Sequence, residues 1–79
     1  MPLYFFHLRD GPDSLIDDEG LEVDGPYAAR QIALVQARDI ISHEAMKGTI
    51  NLRQRIEVVD SAGISVATVS FSDAVKIQS

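Results

Sequence analysis

The opening segment Leu3–Gly11 (LYFFHLRDG) constrains the fold more than any other part of the chain. It contains two of the three Phe residues and one of the two Tyr residues. Aromatic side chains at this density favour a pleated strand, and Asp-Gly is typical of the turn that ends one. Tyr4, Phe6 and Leu8 alternate onto one wholly apolar face, which we expect to pack against the core. The segment therefore predicts the first strand of a small sheet.

Length and composition predict one small globular domain, residues 1–79. The chain is 46% apolar and 24% charged, and it contains no cysteine. The lack of cysteine excludes disulfides, thiolate metal sites and a cysteine nucleophile. No apolar run approaches the roughly 20 residues of a membrane span. No basic region precedes the apolar N-terminal segment, as it would in a secretory signal. We therefore expect a cytoplasmic location and no membrane partner.

The charge is unevenly distributed. Residues 1–24 carry seven acids against one base, a net charge of −6, whereas residues 25–79 carry six bases against five acids, a net charge of +1. An acidic N-terminal region repels phosphate groups. Nucleic acid is therefore a disfavoured partner, although a local basic patch on the second half remains compatible with the sequence.

Turn residues divide the chain into the order ββαββ. Asp60–Gly63 has Asp at the first position and Gly at the fourth, as a type I turn prefers. Asp18–Gly20 breaks or bulges the second strand, and Leu21–Val23 can extend its pairing. We expect an α+β fold in which a four-stranded antiparallel sheet carries one long helix on one face. We also expect the first and last strands to be central neighbours. The four predicted strands are Leu3–Leu8, Ser14–Asp17, Asn51–Asp60 and Ile64–Phe71, and Ser72–Lys76 predicts a closing helical turn.

The long helix is predicted from Pro26 to about Lys47, because Pro suits a first helical turn and Gly48 suits a helix end. A second apolar stripe lies on another side of this helix, and one sheet cannot easily cover both stripes. Either a loop or the C-terminal tail covers the second stripe, or the stripe is a partner surface. The predicted core face is Ala29, Ala33, Leu34, Ala37, Ile40, Ile41 and Ala45, and the second stripe is Ala28, Ile32, Val35 and Met46.

Five segments together resemble a family of small bacterial proteins known only as a domain of unknown function. They are Tyr4–Gly11, Asp18–Gly20, the alanine-rich helix, Arg55–Val58 and Val69–Ala74, and they span nearly the whole chain. The family often has Pro where this chain has Ser70, a position that suits an edge strand. The resemblance supports the element boundaries and implies no activity.

His7 and Arg9 are the first candidates for chemistry. They share the outer face of the first strand, where Asp17 of the return strand could reach them. A His beside a carboxylate can act as a general base. The same residues can also form a cross-strand polar cluster that holds the register, and we favour this structural interpretation.

Other patterns do not predict a metal or cofactor. The acids Asp13, Asp17, Asp18 and Glu19 lack the spacing of a calcium loop. His43 lies far from His7 in sequence and suits the C-terminal end of the helix, so the two do not predict a zinc site.

We expect the open face of the sheet to be the binding surface. Our first hypothesis is a non-enzymatic interaction module that forms a homodimer or binds a protein partner through this face, the sheet edge or the second stripe. The alternative is a nucleic-acid-binding or antitoxin-like regulatory domain, since an open sheet with an aromatic and Arg can stack bases. A small hydrolase using His7 ranks third. The candidate binding residues are Phe5, His7, Arg9, Asp17, Arg53 and Arg55, with Glu57 beside them.

Overall fold

The computed structural model describes residues 1–76 and confirms the α+β class, with one long helix on an open antiparallel sheet. The sheet has five strands rather than four, because the return strand is split in two. Within the described residues no helix is long and apolar enough to span a membrane. The elements are β1 (Leu3–Asp10), β2 (Asp13–Leu15), β3 (Leu21–Glu22), α1 (Pro26–Met46), β4 (Arg55–Asp60), β5 (Ser65–Ser70) and α2 (Phe71–Ala74).

The strand order is β2-β1-β4-β5, and β3 pairs with the N-terminal end of β1. The expectation that the first and last strands are neighbours is therefore wrong. β1 pairs with β4 from Tyr4–Asp60 to Arg9–Arg55, and β5 is an edge strand. Residues 47–54 return the chain to the free side of β1, and the tight turn after β4 then leaves only the outer position for β5.

α1 begins and ends close to the predicted residues. Gly25 caps it at φ 111°, Pro26 occupies the first turn, and the Ala29 amide donates to the Gly25 carbonyl at 3.0 Å. At the other end, Gly48 adopts φ 89° and its amide donates to the Ala45 carbonyl at 3.0 Å. The left-handed glycine turns the chain out of the helix without a Cβ clash.

The core lies between α1 and the β4–β5 half of the sheet. α1 packs chiefly against β5, β4 and α2, and its alanines allow this close approach. Of the predicted core face of α1, only Ala45 is exposed. The buried apolar residues are Tyr4, Val23, Ala29, Ala33, Ala37, Ile41, Ile56, Val58, Val69, Phe71 and Ala74.

The second stripe of α1 is divided by the structure. Ala28 and Ile32 are half-buried and pack against the core, whereas Val35 and Met46 are exposed. The core itself therefore covers Ala28 and Ile32, and residues 1–76 leave Val35 and Met46 exposed. The last three residues of the tail, 77–79, lie outside the described residues.

The segment before β4 is a loop, so the predicted strand Asn51–Asp60 is too long. Asn51 Oδ1 accepts the Arg53 amide at 3.0 Å, a local turn that competes with strand pairing. Gln54 is buried, and its Nε2 donates to Glu44 Oε2 at 2.8 Å and to the Asn51 carbonyl at 3.0 Å. These bonds anchor the loop to the end of α1. Consequently Arg53 lies outside the sheet, which corrects its predicted place on the open face.

Candidate functional site

The open face of the sheet carries most of the predicted binding residues. β1 places Phe5, His7 and Arg9 on the side opposite α1, and the residues across from them on β4 are Val59, Glu57 and Arg55. The Phe5 and His7 rings lie nearly parallel, with centroids 6.5 Å apart and an interplanar angle of 19°. Since alternate residues of a strand share a face, this grouping follows directly from the sequence.

Arg9 pairs with Glu57 rather than with Asp17. Its Nη2 and Nε donate to Glu57 Oε1 at 2.7 and 3.0 Å, and its Nη1 donates to Ser14 Oγ at 2.9 Å. The hydrogen bond from Arg9 lowers the pKa of Glu57, against a smaller opposing effect of partial burial; the charges of Arg9, His7 and Arg55 add to the lowering. The guanidinium therefore ties β2, β1 and β4 together and has little capacity left for a ligand.

Asp17 is a backbone clamp at the edge of β1. β2 pairs with Leu8–Asp10 and β3 with Leu3–Tyr4, which leaves the outward Phe6 amide without a strand partner. Asp17 Oδ2 accepts that amide at 3.1 Å, and Oδ1 accepts the Glu19 and Gly20 amides, also at 3.1 Å. Partial burial raises the pKa of Asp17, but the three amides and nearby His7 together lower it below its ordinary value. The Asp17 carboxylate thus takes the place of the strand carbonyl that would otherwise accept the Phe6 amide.

His7 does not form a dyad with the Asp17 carboxylate. Its Nδ1 accepts the Asp17 backbone amide at 3.1 Å, so in the neutral form of the imidazole the proton lies on Nε2. The carboxylate oxygens that would orient a general base are instead bound to backbone amides. The hydrogen bonds of the cluster therefore join β1 to the link between β2 and β3.

The two remaining candidates, Arg53 and Arg55, lie at the end of the sheet. Arg55 is exposed and directly opposite Arg9, while Arg53 projects from the preceding loop. Together with Asp10 and Asp13 they line a polar depression of about 340 Å³ beside the β1–β2 turn. The two arginines therefore share their surroundings with acids.

Sequence reasoning missed an apolar groove on the other face of the sheet. It lies between α1 and the β1–β2 hairpin, has a volume of about 390 Å³, and is named here the β1–α1 groove. The one sequence signal for it was Leu15-Ile16, an apolar pair inside an otherwise acidic hairpin. Its lining is Phe6, Leu8, Leu15, Ile16, Asp17, Asp18, Glu19, Gln36, Ile40 and Ile56.

Residues 1–76 contain no group of three or more His, Asp or Glu side chains placed to hold a metal ion. His43 lies on the exposed surface of α1 with its Nδ1 3.8 Å from Asp39 Oδ2. This contact is an ordinary pairing of neighbouring turns of one helix.

A family model matches most of the chain. The family model described as "Domain of unknown function (DUF6894)" matches residues 3–72, which covers every strand and α1. No curated protein matches the chain, and no solved structure matches it.

Proposed function

The chain belongs to this DUF6894 family, and from its geometry we propose that it is a non-enzymatic interaction module that forms a homodimer through the β5 edge. One observation carries the proposal. β5 reads Ser-Val-Ala-Thr-Val-Ser, and among residues 1–76 it pairs with β4 on one side only. Natural edge strands are often protected by Lys, Pro, an inward charge or a β-bulge. β5 contains no Lys, Pro or charged residue, and its one bulge lies at Val66, before the stretch Ala67–Ser70.

The free edge can be located residue by residue. The Phe71 amide donates to the Gln54 carbonyl at 2.9 Å, so the alternation of the strand directs the amides of Val69 and Ala67 toward β4 as well. Thr68 then directs its amide and carbonyl away from the sheet, and the amide of Ser70 points the same way, while the Ser70 carbonyl belongs to the first turn of α2. Val66 is the extra residue where the register shifts between Val58 and Val59. The straight stretch available for pairing is therefore Ala67–Ser70.

A two-fold axis at this stretch would pair β5 with β5 of a second copy. Such pairing is antiparallel and self-complementary, because each strand offers the same outward groups to the other. It joins two sheets into one and provides partners for backbone groups that otherwise depend on water. A domain of this size gains more from such an interface than a large one does, since its own core is small.

The charges on and beside the open face favour this proposal over nucleic-acid binding. Arg9 is bound to Glu57 and Ser14, and Arg53 and Arg55 lie beside Asp10 and Asp13. A face that binds phosphate needs cations free of nearby acids. The bond from the Asp17 amide to His7 Nδ1 likewise favours a module without catalytic activity. The proposal keeps the cytoplasmic location expected from the sequence, which cell fractionation would test.

Ser70→Pro tests the edge with little disturbance of the fold. Ser70 has φ −79° and ψ 146°, which Pro adopts readily, and its amide points away from β4. We expect wild type to sediment as a dimer at tens of micromolar and Ser70→Pro to sediment as a monomer. The variant's monomer fold should be retained, since Pro at a compatible position does not strain the chain.

Ser70→Ala is the matched control, because it keeps the backbone amide and should remain dimeric. A wild-type monomer would refute the homodimer. A dimer that survives Ser70→Pro would show that another surface mediates association.

A further inference from the structure

The β1–α1 groove exists because a single helix is too narrow for this sheet. Neighbouring strands lie about 4.8 Å apart and a helix with its side chains is about 10 Å wide, so one helix covers about two strands. α1 lies chiefly over β4 and β5. The same face of β1 and β2 is left without a helix, and Phe6 and Leu8 of β1 are only half-buried there.

The groove has an apolar floor and apolar lips. Ile40 of α1 and Ile56 of β4 form its inner wall with Phe6. Leu15 and Ile16 form the outer lip and are 70% and 55% exposed. A cavity of about 150 Å³ can hold a benzene-sized group, so 390 Å³ accommodates about two large side chains. Two adjacent exposed aliphatic residues beside such a groove are typical of an interaction surface.

The rim of the groove selects the charge of its occupant. Asp18 and Glu19 are exposed at the rim, and the lining includes no Lys or Arg. The N-terminal region that supplies β1 and β2 has a net charge of −6, and its single base, Arg9, is paired on the opposite face. An occupant with positive charge beside its apolar side chains would therefore complement this surface.

We propose that the β1–α1 groove binds a basic amphipathic helix of a partner protein, which lies beside α1 and completes the helical layer over β1 and β2. The occupant is a helix because the uncovered strip is about one helix wide and already has α1 along one side. Two apolar anchors at helical spacing would enter the groove, and Lys or Arg would face Asp18 and Glu19. This site is on the opposite side of the sheet from the open face and is distinct from the β5 edge.

Binding is tested with two synthetic peptides that share one apolar pattern. Both carry Leu at helical spacing; one has Lys on its polar face and the other has Glu. We expect the Lys peptide to bind wild type in a fluorescence anisotropy titration, with affinity that falls as salt is raised, and the Glu peptide not to bind. Amide chemical-shift changes should concentrate on Leu8, Leu15, Ile16 and Ile40.

Matched variants distinguish peptide binding in the groove from non-specific binding to other exposed apolar residues. Leu15→Ser with Ile16→Ser should weaken binding of the Lys peptide by about tenfold or more. Both side chains are exposed, so the thermal transition should change little. Ile64→Ser, at a 60% exposed site in the β4–β5 turn, should bind like wild type. Asp18→Asn with Glu19→Gln should lower the affinity and flatten its salt dependence.

Each other outcome overturns the proposal. Absence of Lys-peptide binding, or equal binding by the Leu15→Ser, Ile16→Ser variant, would refute the site. Equal binding of the Glu peptide would refute the basic partner. A dimer that persists in Ser70→Pro but dissociates in Leu15→Ser, Ile16→Ser would show that a second copy occupies the groove. Ser70→Pro should bind the Lys peptide like wild type, so this proposal and the β5 proposal fail independently.

Discussion

At the scale of single residues, the short link between β2 and β3 depends on Asp17 and Gly20. Asp17 supplies acceptors for three amides, and Gly20 lets the chain turn back toward β1 at φ 75°. A Cβ on Gly20 would lie 3.0 Å from the Tyr4 carbonyl oxygen and 3.0 Å from Phe5 Cε2. The link is therefore held by conformation and close approach as well as by hydrogen bonds.

Gly20→Ala should lower the free energy of unfolding by more than Gly63→Ala. Gly63 has a similar φ of 81°, but a Cβ there meets nothing within 4 Å. Gly63→Ala should therefore lower the free energy of unfolding only by the cost of a left-handed Ala, about 1–2 kcal/mol. Gly20→Ala should lower it by about 1–3 kcal/mol more, because the added Cβ is crowded. Urea denaturation of both variants measures the difference, and equal losses would contradict the close approach.

At the scale of elements, the position of α1 decides which aromatic residues form the core. The sequence correctly assigns Tyr4, Phe6 and Leu8 to the helix-facing side of β1. Phe6, which the apolar pattern places on the core face, is only half-buried at the edge of the core, because α1 lies chiefly over β4 and β5. Phe71, at the start of α2, is fully buried and is the largest enclosed side chain.

Phe71→Ala should destabilise the domain more than Phe6→Ala. Truncating a fully buried Phe costs about 3–5 kcal/mol, which is comparable to the whole stability of a small domain. Phe6 borders an open groove that water already reaches, so Phe6→Ala should cost clearly less. Thermal and urea denaturation of both variants give the ranking, and a larger loss for Phe6→Ala would show that α1 covers β1.

At the scale of the whole molecule, the two carboxylates with lowered pKa values join separate strands. Asp17 connects the β2–β3 link to β1, and Glu57 connects β4 to Arg9 of β1. Both pKa values lie below their ordinary values of 3.8 and 4.5. The ionised forms therefore stabilise the folded state above those values, and the stabilisation is lost as the pH falls through the lower folded values.

Acidification should accordingly unfold the wild type more readily, and Asp17→Asn should weaken this dependence. At neutral pH the variant should lose about 1–3 kcal/mol, since an amide group cannot satisfy the same three donors. Its further loss between neutral pH and about pH 3 should be smaller than that of wild type. Denaturation of each protein across this range measures both quantities. Asp18→Asn, at the neighbouring exposed position, should show the wild-type dependence of stability on pH. The same dependence in Asp17→Asn would contradict the role of the Asp17 carboxylate as an acceptor for the three amides.

Local features of this protein could be predicted from sequence because they depend on neighbouring residues. The apolar alternation of β1, the glycine and proline limits of α1, the Asp60–Gly63 turn and the grouping of Phe5, His7 and Arg9 all follow from periodicity and turn chemistry. The Asp60 side chain supports that turn by accepting the Ala62 and Ile64 amides at 3.0 and 2.9 Å.

Long-range pairing was decided only by the tertiary structure. The partner of Arg9, the place of β5 at the edge and the lateral position of α1 depend on residues distant in the chain. Several pairings and helix positions satisfy the same apolar pattern, and only their combined packing selects one. The exposed β5 edge and the β1–α1 groove are consequences of that selection. One helix on a sheet four strands wide must leave part of one face uncovered.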